Sequence, residues 1–528
     1  MILERERVRE NENAHHSRET VEVEERRRGE FVKATAPAAS FEAMFACELF
    51  EWDVPVKHRD DPESSGRART LTRCDRDYAL PTDEIFERVH AVWGVSELPA
   101  RLHGPAPSAL KKHPSSSLEQ QQPQQRSLEE SRTTGYVTPA VLFSFYNIDA
   151  SQRGSAAAPQ SVFETGEQSY SQDDLELFES YFGLSKATVV TDDSHSSDRL
   201  CSSDAATCSE ANLDVQYMSA VASDSTLNFV YVDERGTLDP FVSYAIELAK
   251  MDTVPLSNSI SYGSFESENT DLAMATFDAC AMKLGLRGAT IFVSSGDDGA
   301  PGAISDHEQC GYNPSYPATC PHVTAVGATN NYDDWRVAGE GEVVCQSNVD
   351  DAVITSGGGF SRFFEAPAWG SETWATYLDA TNPVKGYAAE GRGYPDLSLA
   401  GSDYEVIIGK ELYLLSGTSC SAPSVAGMAS LVNALRAAAG AAPIGFINPV
   451  LYATPTFAND VTVGDNTCVA EDAFCCDQGF NATAGWDAAT GWGGVDYAKF
   501  EALFTEDLDA ATLAEARQTL AKAARRRA

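Results

Sequence analysis

The chain has 528 residues, 43% of them hydrophobic, with 39 Lys and Arg against 78 Asp and Glu, a formal net charge of −39. That length accommodates two or three average domains, or one large enzyme domain with attachments. The charge excludes nucleic acid as an expected partner, since binding it needs concentrated positive charge, and an acidic surface repels itself less as its carboxylates protonate.

Charge and histidine are divided unevenly. Residues 1–134 carry 20 Lys/Arg and 25 Asp/Glu, and residues 135–528 carry 19 and 53. Six of the nine histidines (His15, His16, His58, His90, His103, His113) lie in the first part. In chain order, residues 1–39 are polar and charged and are expected to be disordered. Residues 40–102 are expected to fold, with a strand at Phe50–Trp52 and a helix after Pro81 from Asp83 to Trp93. The Pro-, Ser- and Gln-rich stretch 103–134 reads as a linker. Residues 135–505 have globular composition. Strand candidates at Leu227–Val232, Ala289–Val293 and Val323–Val326 alternate with helix candidates over 240–251, 270–285 and 422–438. That alternation predicts an α/β fold with a parallel sheet flanked by helices. Residues 506–528 read as an Ala-rich helical tail. No stretch is long and apolar enough for a membrane span.

Ten of the twelve cysteines follow residue 200. Cys201/Cys208, Cys310/Cys320 and the group Cys468, Cys475 and Cys476 cluster in loop-like sequence without zinc-site spacing, so disulfides are expected, with connectivity open. Asn481-Ala482-Thr483 is a glycosylation sequon, pointing the same way. Met1 is followed by charge rather than an apolar run, and a signal peptide is expected to be missing from the front.

The most specific stretch is Ser416-Gly417-Thr418-Ser419-Cys420-Ser421-Ala422-Pro423, which opens a small-residue helix. A Ser there sits by unpaired backbone N–H groups and the positive helix end, which favour a nucleophile and a developing oxyanion. Beyond residue 134 the histidines are His195, His307 and His322, none followed by Gly, so a His base of the subtilisin kind is not expected. Glu210 and Asp214, spaced i,i+4, would project from one helix face, and paired carboxyls titrate together. A carboxylate base works best near its own pKa, which places the optimum in acid. In Ile291–Gly299 a buried strand ends in a Gly-flanked turn that would hold Asp297 at the sheet's C-terminal edge, where α/β folds build sites.

Together these motifs resemble the sedolisins, or serine-carboxyl peptidases, over residues 40–503. Ser259-Ile260-Ser261-Tyr262-Gly263, Ser356–Ser361 and Gly393-Tyr394-Pro395-Asp396 add to the resemblance. It implies a subtilisin-like parallel sheet preceded by a smaller α+β propeptide domain. It also implies Ser419 as nucleophile, Glu210 as general base, Asp214 as its orienting partner and Asp297 as the oxyanion residue. The family's calcium site maps onto the carboxylates of Asp460 and Asp487 and the carbonyls of Val461, Thr483 and Gly485, suiting a cation that prefers oxygen ligands. Residues 40–102 resemble the end of an inhibitory propeptide, with the activation cleavage in 103–134 and the mature enzyme starting near Gly135.

The expected protein is therefore a monomeric zymogen, secreted or lysosomal/vacuolar, acting in acid on peptides or proteins as a tripeptidyl peptidase or endopeptidase. An inactive peptidase-fold binding protein and a neutral subtilisin-like protease are the rival readings. Attraction between the near-neutral, His-rich propeptide and the acidic remainder is expected to shift with pH. Asp298 replaces the usual Ser after the oxyanion Asp, and either raises Asp297's pKa or points to solvent. Cys420 reads as a buried small hydrophobe.

Overall fold

The computed structural model describes residues 110–113, 135–191, 195–233, 239–302, 310–331, 341–347, 349, 352–470 and 474–527, with five short strands nearer the N-terminus. The chain divides into two compact units, residues 1–100 with 234–243, and residues 101–233 with 244–528.

In the first unit, Glu22–Arg26 and Phe31–Thr35 form an antiparallel hairpin, and Ile2–Leu3 pairs parallel with the second of these strands. These strands fall in the stretch expected to be disordered. Their charge hides a period-two pattern, seen in Val23 between Glu22 and Glu24, that composition alone passes over. Leu49–Val54 pairs antiparallel with Arg69–Cys74 and contains the strand expected at Phe50–Trp52. The helix expected at Asp83–Trp93 lies outside the described residues.

The second unit is built on a ten-stranded sheet among its described residues. In chain order its strands are β1 (Gln160–Glu164), β2 (Val189–Val190), β3 (Leu227–Tyr231), β4 (Ser257–Ile260), β5 (Thr290–Ser294), β6 (Thr324–Asn331), β7 (Glu342–Val344), β8 (Leu397–Ala400), β9 (Ala458–Asn459) and β10 (Gly494–Val495). Their spatial order is β9-β10-β8-β6-β5-β4-β1-β3-β2, with β7 pairing on β6. The pairings from β10 through to β2 are parallel, while β7 and β9 add antiparallel edges. Every residue of β1, β4, β5 and β8 is buried. A parallel sheet covered on both faces requires this, and apolar runs such as Thr290-Ile291-Phe292-Val293 satisfy it.

Two helices matter most for the site, α1 (Ser209–Val221) and α2 (Thr418–Ala438). All thirteen residues of α1 are buried. α2 packs along α1 and against β4, β5 and β6. Small residues permit this: a Cβ on Gly427 would come within 2.8 Å of the Val221 side chain. α2 starts four residues before the expected 422. Pro423 cannot donate to the Ser419 carbonyl, so the first turn is held from outside, by Asp297.

Three disulfides are present among the described residues: Cys201–Cys208, Cys310–Cys476 and Cys468–Cys475. Cys310 thus reaches across 166 residues rather than to its sequence neighbour Cys320. Cys280, Cys320, Cys345 and Cys420 are buried, and none of them takes part in these three bridges. The C-terminal stretch forms the helix Ala510–Arg527, which packs on α2, buries Ala516 and pairs Arg517 with Glu501.

Candidate active site

Ser419 occupies the first turn of α2 and is 3% exposed. Its hydroxyl donates to the Ser261 carbonyl at 3.1 Å. Asp297 follows the end of β5 and reaches the same helix end: its Oδ1 accepts from the Thr418 N–H at 2.8 Å and the Thr418 hydroxyl at 2.9 Å. Asp297 thereby caps the open N–H end of α2 from outside the helix. The turn is braced by backbone, since Thr355 N donates to the Asp297 carbonyl at 2.7 Å and Gly357 N to the Gly296 carbonyl at 2.8 Å. Gly357 must be glycine for this close approach, because a Cβ would lie 2.4 Å from the Ser295 carbonyl oxygen.

Glu210 and Asp214 project from the buried helix α1, and both are fully buried. The Ser261 hydroxyl donates to Asp214 Oδ1 at 2.9 Å. Burial pushes the Glu210 carboxyl well above the usual range, and Asp214 pushes it further, while the neighbouring Ser419 hydroxyl partly offsets this. Asp214 is also raised well above its ordinary value, by burial and then by Glu164.

Glu164, at the end of β1, is a site residue that sequence reasoning missed. It is fully buried, accepts from the Tyr262 hydroxyl at 2.7 Å, and is pushed well up by burial and by Glu210. The one sequence signal was Tyr262 in the quoted Ser259–Gly263 stretch. Nothing in the sequence paired it with an acid a hundred residues earlier.

Of the described histidines, His195 stacks on Tyr231, His322 pairs with Asp278, and His113 pairs with Glu405. The serine is therefore set among carboxyls. Asp298 does not simply point to solvent: its Oδ1 accepts from the Ala470 N–H at 3.2 Å, tying the Asp297 turn to the loop closed by Cys468–Cys475.

Four of the five residues expected at the calcium site meet through hydrogen bonds. Asp460 Oδ2 accepts from Gly485 N at 2.8 Å, and Asp487 Oδ2 from Thr483 N at 3.2 Å, so both carboxylates bear on one turn. Asp487 is fully buried, and burial pushes its carboxyl up to about 7 against four hydrogen bonds that lower it. Thr483 has no positive φ, so a side chain there leaves its carbonyl usable, while Gly485 sits at φ +87°. Among the described residues no group of three or more His, Cys, Asp or Glu side chains is placed to hold a metal ion, so carbonyls would complete the donor set. Two carboxylates with carbonyl oxygens suit calcium.

Fold and site together define a subtilisin-like α/β protein with a serine set among buried acids. Residues 194–444 match the Subtilase family. Among curated relatives, Tripeptidyl-peptidase 1 of Bos taurus is 33% identical over 329 residues, covering 60% of this chain and 55% of the relative. Physarolisin of Physarum polycephalum is 28% identical over 472 residues, covering 82% and 74%. The chain thus spans little more than half the length of the first of these. A solved Pseudomonas sedolisin, a serine-carboxyl proteinase complexed with pseudo-iodotyrostatin, shares the fold at a TM-score of 0.56 and 23% identity, covering 71% of this chain and 98% of that one. The chain is thus similar to tripeptidyl-peptidases and physarolisin in sequence, and it shares the fold of a solved sedolisin.

Proposed function

We propose that this protein is an acid-acting serine peptidase that cleaves peptide bonds through an acyl-enzyme on Ser419. The observation that carries the reading is the placement of Ser419 beside buried Glu210, with Asp214 on the same helix. The Ser419 hydroxyl turns from the Ser261 carbonyl and gives its proton to Glu210. The oxygen then bonds the substrate carbonyl carbon, and the carbonyl electron pair moves onto oxygen as the oxyanion. Asp297, protonated and held at the helix end, donates to that oxyanion. Glu210 returns the proton to the leaving amine as the C–N bond breaks, and water repeats the cycle to free the acid.

The acid preference follows from coupling. Glu210 must be ionised to act, while its neighbours keep protons. Raising the pH strips those protons, adds charge to a dry cluster and removes the oxyanion donor. Asp460 and Asp487, with the carbonyls of Val461, Thr483 and Gly485, would hold a calcium ion that pins the turn at 483–487. Tripeptidyl and endopeptidase action both fit, and the name of the tripeptidyl-peptidase relatives favours the first. Synthesis as a zymogen and a secreted or lysosomal/vacuolar location complete the reading, supported by three disulfides, which persist in oxidising compartments.

The test is peptide hydrolysis at about pH 4. Ser419→Ala is expected to lower turnover by about 10⁴-fold or more, and Glu210→Gln by about 10²- to 10⁴-fold. Undiminished turnover in Ser419→Ala ends the reading. Full activity of Glu210→Gln at about pH 8 replaces it with a neutral protease.

A further inference from the structure

Within the stretch read as the activation linker, residues Leu110–Lys112 form a strand in the second unit. It pairs antiparallel with Glu411–Leu415, placing Lys112 opposite Tyr413, Lys111 opposite Leu414 and Leu110 opposite Leu415. Glu411–Leu415 is the outer arm of a hairpin whose inner arm is Tyr404–Ile408. The outer arm runs directly into Ser416-Gly417-Thr418-Ser419, the approach to the nucleophile.

His113 fixes the end of this strand. Its N–H donates to the Leu412 carbonyl at 3.1 Å. Its ring is 3% exposed, places Nε2 3.4 Å from Glu405 Oε1, and packs edge-on to Tyr136 at 5.0 Å. Glu405 is itself fully buried. The exposed Lys112–Glu411 pair at 2.6 Å adds little, because solvent screens it. The far edge of the hairpin is taken by Val137: its N–H donates to the Asp403 carbonyl at 2.9 Å, and its carbonyl accepts from Glu405 N at 3.0 Å. The chain is therefore anchored at both ends of the stretch 114–134, by His113 on one edge and Val137 on the other.

We propose that Leu110–His113 is a docking strand that holds the propeptide on the catalytic unit after the chain is cut within 114–134. The edge of Glu411–Leu415 is then an interaction surface, and its partner is an extended segment of this same chain ending in a buried histidine. A sheet edge supplies a row of N–H and C=O groups that an added strand satisfies. Glu405 makes the site selective, since it is a buried carboxylate facing the position that His113 fills. The inference rests on the zymogen reading only in calling the front segment a propeptide.

The test uses the full chain carrying Ser419→Ala, with residues 120–126 replaced by the recognition site of a sequence-specific protease. After cutting, the front fragment is expected to co-elute with the remainder on gel filtration at neutral pH. His113→Ala, and His113→Pro, which also removes the N–H bonded to Leu412, are expected to speed fragment loss by about tenfold or more. Lys111→Ala, on an exposed side chain, is expected to leave it unchanged. Thermal melts of the uncut variants verify that each folds. Loss of the fragment from the unsubstituted chain, or equal retention in the His113 variants, overturns the proposal. Because the readout needs no catalysis, failure of the peptidase reading would show only in the hydrolysis assay.

Discussion

Glu164 closes β1 with its carboxyl against the Tyr262 hydroxyl; its charge is felt by Asp214 on α1, and Glu164 in turn feels that of Glu210. Like charges in a dry site raise one another, so the proton count of this cluster belongs to the group. Glu164→Gln keeps an acceptor for Tyr262 and removes one negative charge. Asp214 should then ionise at lower pH, and because it titrates together with Glu210 the acid limb of the kcat/KM profile should move. An unmoved limb with lowered kcat would make Glu164 merely structural. At this scale the sequence was legible where spacing carried the signal. The i,i+4 interval of Glu210 and Asp214 put them on one helix, whereas Glu164 is a lone acid ending a strand and acquires meaning only from its surroundings. The two expectations for Asp298 likewise left out the Ala470 N–H, which lies far along the chain.

At the level of elements, the segment after Gly391–Tyr394 is held by a buried ion pair. Arg392 contacts Asp396 at 2.5 Å, and Asp396 also accepts from Ala325 N at 2.7 Å, Asn448 at 3.1 Å and Tyr452 at 2.9 Å. These bonds tie the start of β8 to β6. Asp396→Ala leaves Arg392 charged and unpaired in the interior and should cost about 3–5 kcal/mol of unfolding free energy, measured by denaturant titration. The turn at 483–487 predicts a second effect. Chelating calcium should lower Tm, and added calcium should restore it, while Asp487→Asn should be insensitive to both; a Tm indifferent to chelator would remove calcium from the reading. Element identity was largely readable from sequence. β3, β5, β6 and the helices Pro240–Lys250 and Asp271–Leu286 lie where alternating apolar runs placed them. Their ends were less so. The first turn of α2 depends on Asp297, a capping partner supplied from another strand.

For the whole molecule, pH is the governing variable. Glu164, Glu210 and Asp214 are raised well above ordinary values, and Glu342, buried beside Thr329 and Tyr146, is raised to about 7. Such groups hold protons more tightly folded than unfolded. Their stabilising contribution is complete below about pH 4 and is lost as pH rises through the raised values. Calorimetry should find Tm highest in acid and falling toward about pH 8, with a shallower fall in Glu164→Gln. A Tm that climbs from about pH 5 to 8 would contradict this. The formal net charge of −39 over the whole sequence adds self-repulsion in the same direction.

The sequence by itself determined the class of fold and marked Ser419, Glu210, Asp214 and Asp297 as the candidate site. Both are written in short-range features: apolar runs of strand length, an i,i+4 acidic pair, and a small-residue octet opening a helix. Tertiary structure alone decided what depends on distant residues meeting. It joined Cys310 to Cys476, brought Glu164 to the acids of α1, turned Asp298 toward Ala470, and laid Leu110–His113 on the hairpin that leads to Ser419. The physical reason is the same in each case. A disulfide, a coupled titration or an added strand is a property of a pair, and periodicity along the chain records only one partner at a time.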